Sequence, residues 1–511
     1  MFSNGHARLE VCGCQRANKR RLRWQHWDIT RRFSATFVIL VASLSAAGAA
    51  TGLPAFPGAE GGGALAVGGR GGVVCKVTNL NDSGLGSLRS CIDMTGPRTV
   101  IFTVGGTIWL ESPLRITNPY ITIAGQTAPG GGIQIAGKNI QNDRNLIQLS
   151  STNDVVIRYL RIRNGRRDPG NTNASTVSTR ASHNIIFDHV SLTWAEATNF
   201  SVWAGGYNIT LQNSIVAEAL NLGSATRVNI LTGGNSHSEI VGMVDIDFHK
   251  NLVSTSSHRN PLLKAFRHRF VNNLVYNWRV PSESGGGVEH DYIGNLYKFG
   301  PVPRRSASTR EIRVFDLEFE VDDKRLAEGI PSIHVAGNYG PYSGGNNANM
   351  AHRIDKQNGS HVSELPEHWR RSSPLASTEV PITLLSYADL EEVVLPNVGA
   401  SRRLDCDGKW VNTRDEADTR IVSNYLSGKG ELIENEKEVG GFPVIENGTP
   451  CKDSSDDGIP DQWLIAQGMD FQRAQGHRIS PSGYSYLELF LSGGDGQQPA
   501  RPDAPMSIDV R

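Results

Sequence analysis

The sequence predicts an all-β chain, wound as a parallel β-helix and followed by a loop-rich C-terminal extension. Short β-branched runs dominate from about residue 73 to 340, and few helical periods interrupt them. Glycine is abundant, with 55 residues in 511, and aromatic residues make up only 7%, which suits many tight turns between short strands. The runs also share a register of alternating apolar residues, then a polar residue, then a shorter apolar piece. Taking Tyr159, His189, Asn213, Asn251, Asn273, Asn295 and Asn338 as equivalent, the closest neighbours stand 22 residues apart. Three short strands and three turns fit that length, with longer gaps as loop insertions. Asparagine there suits a left-handed turn, and stacked amides bond coil to coil. An antiparallel sandwich is disfavoured, because hairpin dipeptides such as Asn-Gly are nearly absent from this region.

The elements follow in order. Residues 1–49 read as a leader: Lys19, Arg20, Arg21, Arg23, Arg31 and Arg32 precede an apolar run from Phe33, and Ala47-Gly48-Ala49 fits a signal-peptidase site. That run is short for a membrane span, so an exported chain, free of the membrane after processing, is expected. Four cysteines then remain, an even number that suggests two disulfides. Proximity pairs Cys75 with Cys91 and Cys406 with Cys451, and the other connectivities stay open. No C-x-x-C pair survives to favour zinc. Leu85 to Ile92 is the clearest early helix candidate. The β-helix is expected over 50–345, polar loops wrapping it over 346–440, and an Asp-rich tail over 441–511. In the tail, Asp453, Ser455, Asp457 and Asp461 surround Gly458 in the manner of a calcium loop, with Leu464 where the bidentate Glu belongs.

Charge is balanced, 51 basic residues against 51 acidic, so no global field favours nucleic acid or a membrane surface. Anion recognition must be local. The strongest local signal is Ser-Ser-His-Arg-Asn-Pro at 256–261, where Arg259 stands beside a proline-stiffened turn with a hydrophobic strand soon after. A rigid arginine suits an acidic polymer. Lys264, Arg267, His268 and Arg269 follow closely. A second basic group, Arg158, Arg161, Arg163, Arg166 and Arg167, either lines a groove or pairs with Asp side chains of the adjoining coil. His249 and His258 lie near in sequence; each is more often a satisfied surface or turn histidine than a catalyst.

Several motifs carry a family resemblance. Phe56-Pro-Gly-Ala-Glu-Gly, Val77-Thr-Asn-Leu-Asn-Asp-Ser-Gly-Leu-Gly-Ser-Leu-Arg, Ile121-Thr-Ile-Ala-Gly-Gln-Thr-Ala-Pro-Gly, Ile186-Phe-Asp-His-Val-Ser-Leu-Thr-Trp, His258-Arg-Asn-Pro and Val271-Asn-Asn-Leu-Val-Tyr-Asn-Trp occur in this order. Over roughly residues 54–340 the chain resembles the pectate-lyase-like proteins of polysaccharide lyase family 1. The resemblance implies a right-handed parallel β-helix and calcium-assisted β-elimination of polygalacturonate or a related uronate polymer. It places Arg259 as the catalytic arginine and Lys264 where a second, substrate-holding arginine usually stands; His258 is expected beside the substrate. A secreted monomer acting on an acidic polysaccharide follows.

The chain departs from that pattern at the metal. Ser175 occupies an expected carboxylate position, and Ala197 and Thr198 stand where relatives often show an acidic pair. Glu196, one residue off, is the remaining candidate ligand, with Asp453, Asp457 and Asp461 in the tail. No lysine matches the one expected beside the calcium. A non-catalytic carbohydrate-binding or surface β-helix protein is therefore the alternative. A β-helical glycoside hydrolase needs cooperating carboxylates, and Asp322-Asp323 and Asp456-Asp457 lie outside the core coils.

Overall fold

Three long sheets dominate the described residues of the computed structural model. Two have ten strands and one has eight. The model describes residues 52–493 apart from 139, 141–144, 168–173, 223–227, 235–236, 286–287, 306–309, 316–319, 322–323, 326–330 and 355–361. The expected leader and Asp322-Asp323 lie outside the described residues.

The first ten-stranded sheet begins at Val73–Val77 and ends at Ser332–Ala336, with every pair parallel. The eight-stranded sheet runs from Gly106–Leu110 to Leu296–Lys298. The second ten-stranded sheet starts at Leu114–Ile116. It continues past residue 345 through Ala351–Ile354, parallel to Ile312–Phe315, and Val362–Glu364 adds antiparallel as its edge. Inward residues stack from coil to coil: Val155, Ile185, Ile209 and Ile246 are successive partners and are fully buried. Each such aliphatic side chain contributes about 1.5–3 kcal/mol of burial.

The repeat holds two adjacent positions that the sequence reading merged into one. Tyr159, His189 and Asn213 take the left-handed conformation, and Lys250, Asn272, Gly294 and Gly337 continue it. The amide ladder runs one residue later. Asn251 bonds to Asn273 at 3.0 Å, Asn273 to Asn295 at 3.1 Å and Asn295 to Asn338 at 2.8 Å. Ser214 precedes them, donating its N–H to the Asn251 oxygen at 2.9 Å. The ladder asparagines thus satisfy buried backbone groups, and their neighbours make the turn. Asn273→Ala leaves the Phe248 carbonyl and the Asn251 N–H without their amide partner. We expect a loss of roughly 2–3 kcal/mol in urea unfolding.

The early helix spans Leu88–Asp93, three residues later than its expected start, because Ser87 caps it by accepting the Ser90 N–H. It buries Leu88, Cys91 and Ile92. Both expected disulfides form, Cys75–Cys91 and Cys406–Cys451. The first ties the helix to the first strand.

Residues after 385 cover the eight-stranded sheet. Helices Leu390–Val394 and Glu416–Ser427 lay Leu390, Val394, Ile421 and Tyr425 on Ile215, Leu252, Leu274 and Tyr276. Tail helices Asp461–Ala466 and Tyr486–Leu491 pack Trp463 and Phe490 with Ala124 and Leu404. Among the described residues, none of these outer clusters includes a strand residue of the second ten-stranded sheet. No helix among them is long and apolar enough to cross a membrane.

Candidate active site

Arg259 follows strand Leu252–Ser256, where the chain turns into the second ten-stranded sheet. Its φ is 55°, a left-handed conformation that costs an arginine about 1–3 kcal/mol and needs support from its surroundings. Asn260, next in the chain and joined to Pro261 by a cis bond, supplies that support from inside. A second amide file runs Asn199, Asn229, Asn260, with bonds of 3.0 and 2.9 Å. Asn260 also donates to the Val280 carbonyl at 2.9 Å, and the Arg259 carbonyl accepts from Ile230 at 3.2 Å. The turn is thereby bonded to the coils on both sides.

The Arg259 guanidinium itself makes no hydrogen bond or ion pair among the described residues. Burial lowers its pKa, and the charge of Glu283 acts in the opposite sense. His258 is pushed down to about 4, first by burial and then by Arg305, Arg259, Arg313 and Arg279, so it is neutral at pH 7. Lys264 stands just beyond strand Leu262–Leu263, its N–H bonded to Thr232 at 3.0 Å. Gly233 keeps this corner open: a Cβ there would meet both Lys264 and the Trp203 ring at 3.3 Å. The structure therefore brings Arg259, His258 and Lys264 to one face.

Four charged residues of this face escaped the sequence reading. Strand Ser282–Ser284 places Ser282 and Ser284 inward, against the hydroxyls of Tyr297 and Tyr292, and turns Glu283 outward. Glu283 pairs in register with Leu262 on one side and Arg313 on the other. Arg313 donates to it at 3.0 Å. Burial raises the pKa of Glu283 against the pull of Arg313, Arg259, Lys264 and Arg305. Arg279 and Arg305 are exposed above, joined by a backbone bond of 3.0 Å. The only signal in the sequence was the coil period, which aligns Pro261-Leu262 with Ser282-Glu283.

The second basic group is structural. Arg158 pairs with Asp188 of the adjoining coil at 2.9 Å. Arg161 and Arg163 reach Asp415 at 2.9 and 2.7 Å, and Arg163 also holds Asp418 at 2.8 Å. His249 is fully buried and held near 4, mainly by desolvation.

The expected metal donors do not fit calcium. Ser175, Ala197 and Thr198 bring no carboxylate. Glu196 is wholly buried, accepts the Arg167 N–H at 3.0 Å and lies 3.8 Å from the Arg166 guanidinium. Glu218, the next carboxylate, is held by Arg420 and the Trp194 indole. In the tail, Asp453 accepts the Lys76 ammonium at 2.8 Å and the Gly458 N–H at 2.9 Å. Lys76 also contacts Asp456. Asp457 accepts Ile459 and Gly476 N–H groups, and Asp461 caps Ser454 at 2.7 Å. These carboxylates close their loop with a lysine and amides. Among the described residues, no three His, Cys, Asp or Glu side chains gather to hold a metal.

The chain is similar to curated proteins named probable pectate lyase C. It is 33% identical to that of Aspergillus fumigatus over 466 residues, covering 89% of this chain and 97% of the relative. It is 34% identical to that of Neosartorya fischeri, covering 90% and 98%. Among solved structures it matches the major allergen from cedar pollen at TM-score 0.47 and 15% identity, covering 67% of this chain and 92% of the allergen. A pectate lyase from Bacillus sp. N165 in complex with trigalacturonate matches at TM-score 0.41 and 13% identity, covering 66% and 98%. No family model matches. With a third of the aligned residues identical across almost the whole of these fungal relatives, the chain belongs to the pectate lyase family.

Proposed function

We propose that this chain is a polysaccharide lyase that cleaves pectate by β-elimination, with Arg259 as the base. The observation that carries the reading is an unpaired, half-buried guanidinium held on a rigid turn, beside a His258 on which Arg305, Arg313 and Arg279 also act. In the step, Arg259 takes the C5 proton and the electron pair moves toward the carboxylate. The C4–O bond then breaks to leave a 4,5-unsaturated end, and the departing oxygen takes a proton from solvent. A base must be neutral, and arginine is ordinarily protonated below about pH 12. Desolvation works toward the neutral form here. Lys264 and the exposed Arg279 and Arg305 supply positive charge for the uronate carboxylate and for the enolate-like charge that develops. His258, neutral, adds a polar edge to the same face.

Calcium takes no part in this step. The cations of the chain take the place of a carboxylate-held metal, and we expect turnover to stay within about twofold in excess chelator. The test is to follow the ultraviolet absorbance of the conjugated unsaturated uronide on de-esterified polygalacturonate, with and without chelator. Loss of activity with chelator and recovery with calcium overturns the metal-free step. Binding of the polymer with no unsaturated product favours the non-catalytic alternative, which the missing carboxylates at Ser175, Ala197 and Thr198 motivate. The two disulfides and the basic-apolar leader support an exported protein.

A further inference from the structure

We propose that Arg313 is a positioning residue for this reaction: by holding the Glu283 carboxylate, it keeps that carboxylate from closing an ion pair on Arg259. The inference rests on the reading of Arg259 as the base. Among the described residues, Glu283 is the one acidic group whose charge bears on Arg259. It is also close at hand, since its own N–H donates to the Pro261 carbonyl at 2.7 Å, two residues beyond Arg259. The Glu283 and Arg313 side chains are only 5% and 13% exposed. A carboxylate so far from water must take a cation. Arg313, Arg259, Lys264 and Arg305 all act on it. Arg313 takes it at 3.0 Å because the parallel register puts the two directly opposite each other on adjacent strands. Arg259 is left without an ion pair.

Glu283 is the charge that acts on Arg259 directly; Arg313, Lys264 and Arg305 act on Glu283, and Arg305, Arg313 and Arg279 act on the adjoining His258. His258 is neutral and the others are cations, so Glu283 is the one partner that favours the protonated guanidinium. Without Arg313, Glu283 turns to Arg259, the protonated form gains, and the rising limb of the pH–kcat profile moves to higher pH.

The test compares pH–kcat profiles on polygalacturonate for the wild type, Arg313→Met, Glu283→Gln and the double variant, each checked for folding by circular dichroism. We expect Arg313→Met to move the limb upward by roughly 1 pH unit and to cut kcat about tenfold below it. Adding Glu283→Gln restores both to within about threefold of wild type. Glu283→Gln alone moves the limb downward. An unmoved limb in Arg313→Met, or a double variant as slow as the single one, overturns the proposal and leaves Arg313 a strand-pairing residue. If Arg313→Met does not fold, Glu283→Gln decides: a downward limb supports the proposal and an unmoved one overturns it. Failure of the base assignment shows separately, as full turnover by Arg259→Lys or no unsaturated product from the wild type, and takes both readings down.

Discussion

Arg259→Lys is expected to lower kcat on polygalacturonate by at least about 100-fold while changing KM far less. Lys264, Arg279 and Arg305 remain, so attraction of the polymer to the cationic face persists. The substituted lysine loses the planar fork that presents two nitrogens at a set distance from the turn, and proton abstraction depends on that placement. The turn will not adjust to help, because the Asn199–Asn229–Asn260 file and the Ile230 bond hold it. Stopped assays of unsaturated product, with a melting curve for the variant, make the measurement. A variant that turns over at the wild-type rate removes Arg259 from the chemistry.

The largest stability effect is expected at Arg163. Its guanidinium is fully buried, bonded to Asp415 at 2.7 and 3.0 Å and to Asp418 at 2.8 Å, and stacked 5.4 Å from the Trp194 ring. Asp415 also caps helix Glu416–Ser427, accepting the Asp418 N–H at 3.0 Å. Arg163→Met leaves two buried carboxylates with Arg161 alone between them. Breaking such a network costs about 3–5 kcal/mol. The loss should appear as earlier unfolding in urea and as faster hydrogen exchange in helix Glu416–Ser427. Adding Asp418→Asn recovers part of it, since one buried charge is then removed. A change below about 1 kcal/mol sinks the argument.

The network also sets a pH dependence. Arg163 and Arg161 hold the Asp415 carboxyl below its ordinary value. Its stabilising contribution is therefore complete above the unfolded carboxylate pKa of about 3.9 and is lost as pH falls through the lower folded value. Asp418 moves the other way, raised by burial and by Asp415. The pair opposes itself, so the net acid loss is smaller than Asp415 alone suggests.

Legibility in the sequence followed distance along the chain. The strands and the turn at 256–261 were readable because each is set by fewer than about ten neighbouring residues, and the coil period because the same local pattern recurs along the chain. Offset by one, the asparagine reading shows the limit: Asn213 and Asn251 look alike in sequence, yet the first makes the left-handed turn and the second joins the ladder. Arg161 and Arg163 look like a basic groove until Asp415 and Asp418 arrive from some 250 residues later. Glu196 looks like a displaced metal ligand until Arg166 and Arg167 close over it.

By itself, the sequence determined a solenoid of parallel strands and an arginine presented at a stiff turn, because these depend on local pattern and short loops; it left the pairing of the four cysteines open. Only the tertiary structure decided which charges face that arginine. In a stacked sheet, sideways neighbours come from whole coils away, and a shift of one residue turns a side chain from the groove into the core. Arg313, and not Arg259, holds Glu283 for that reason.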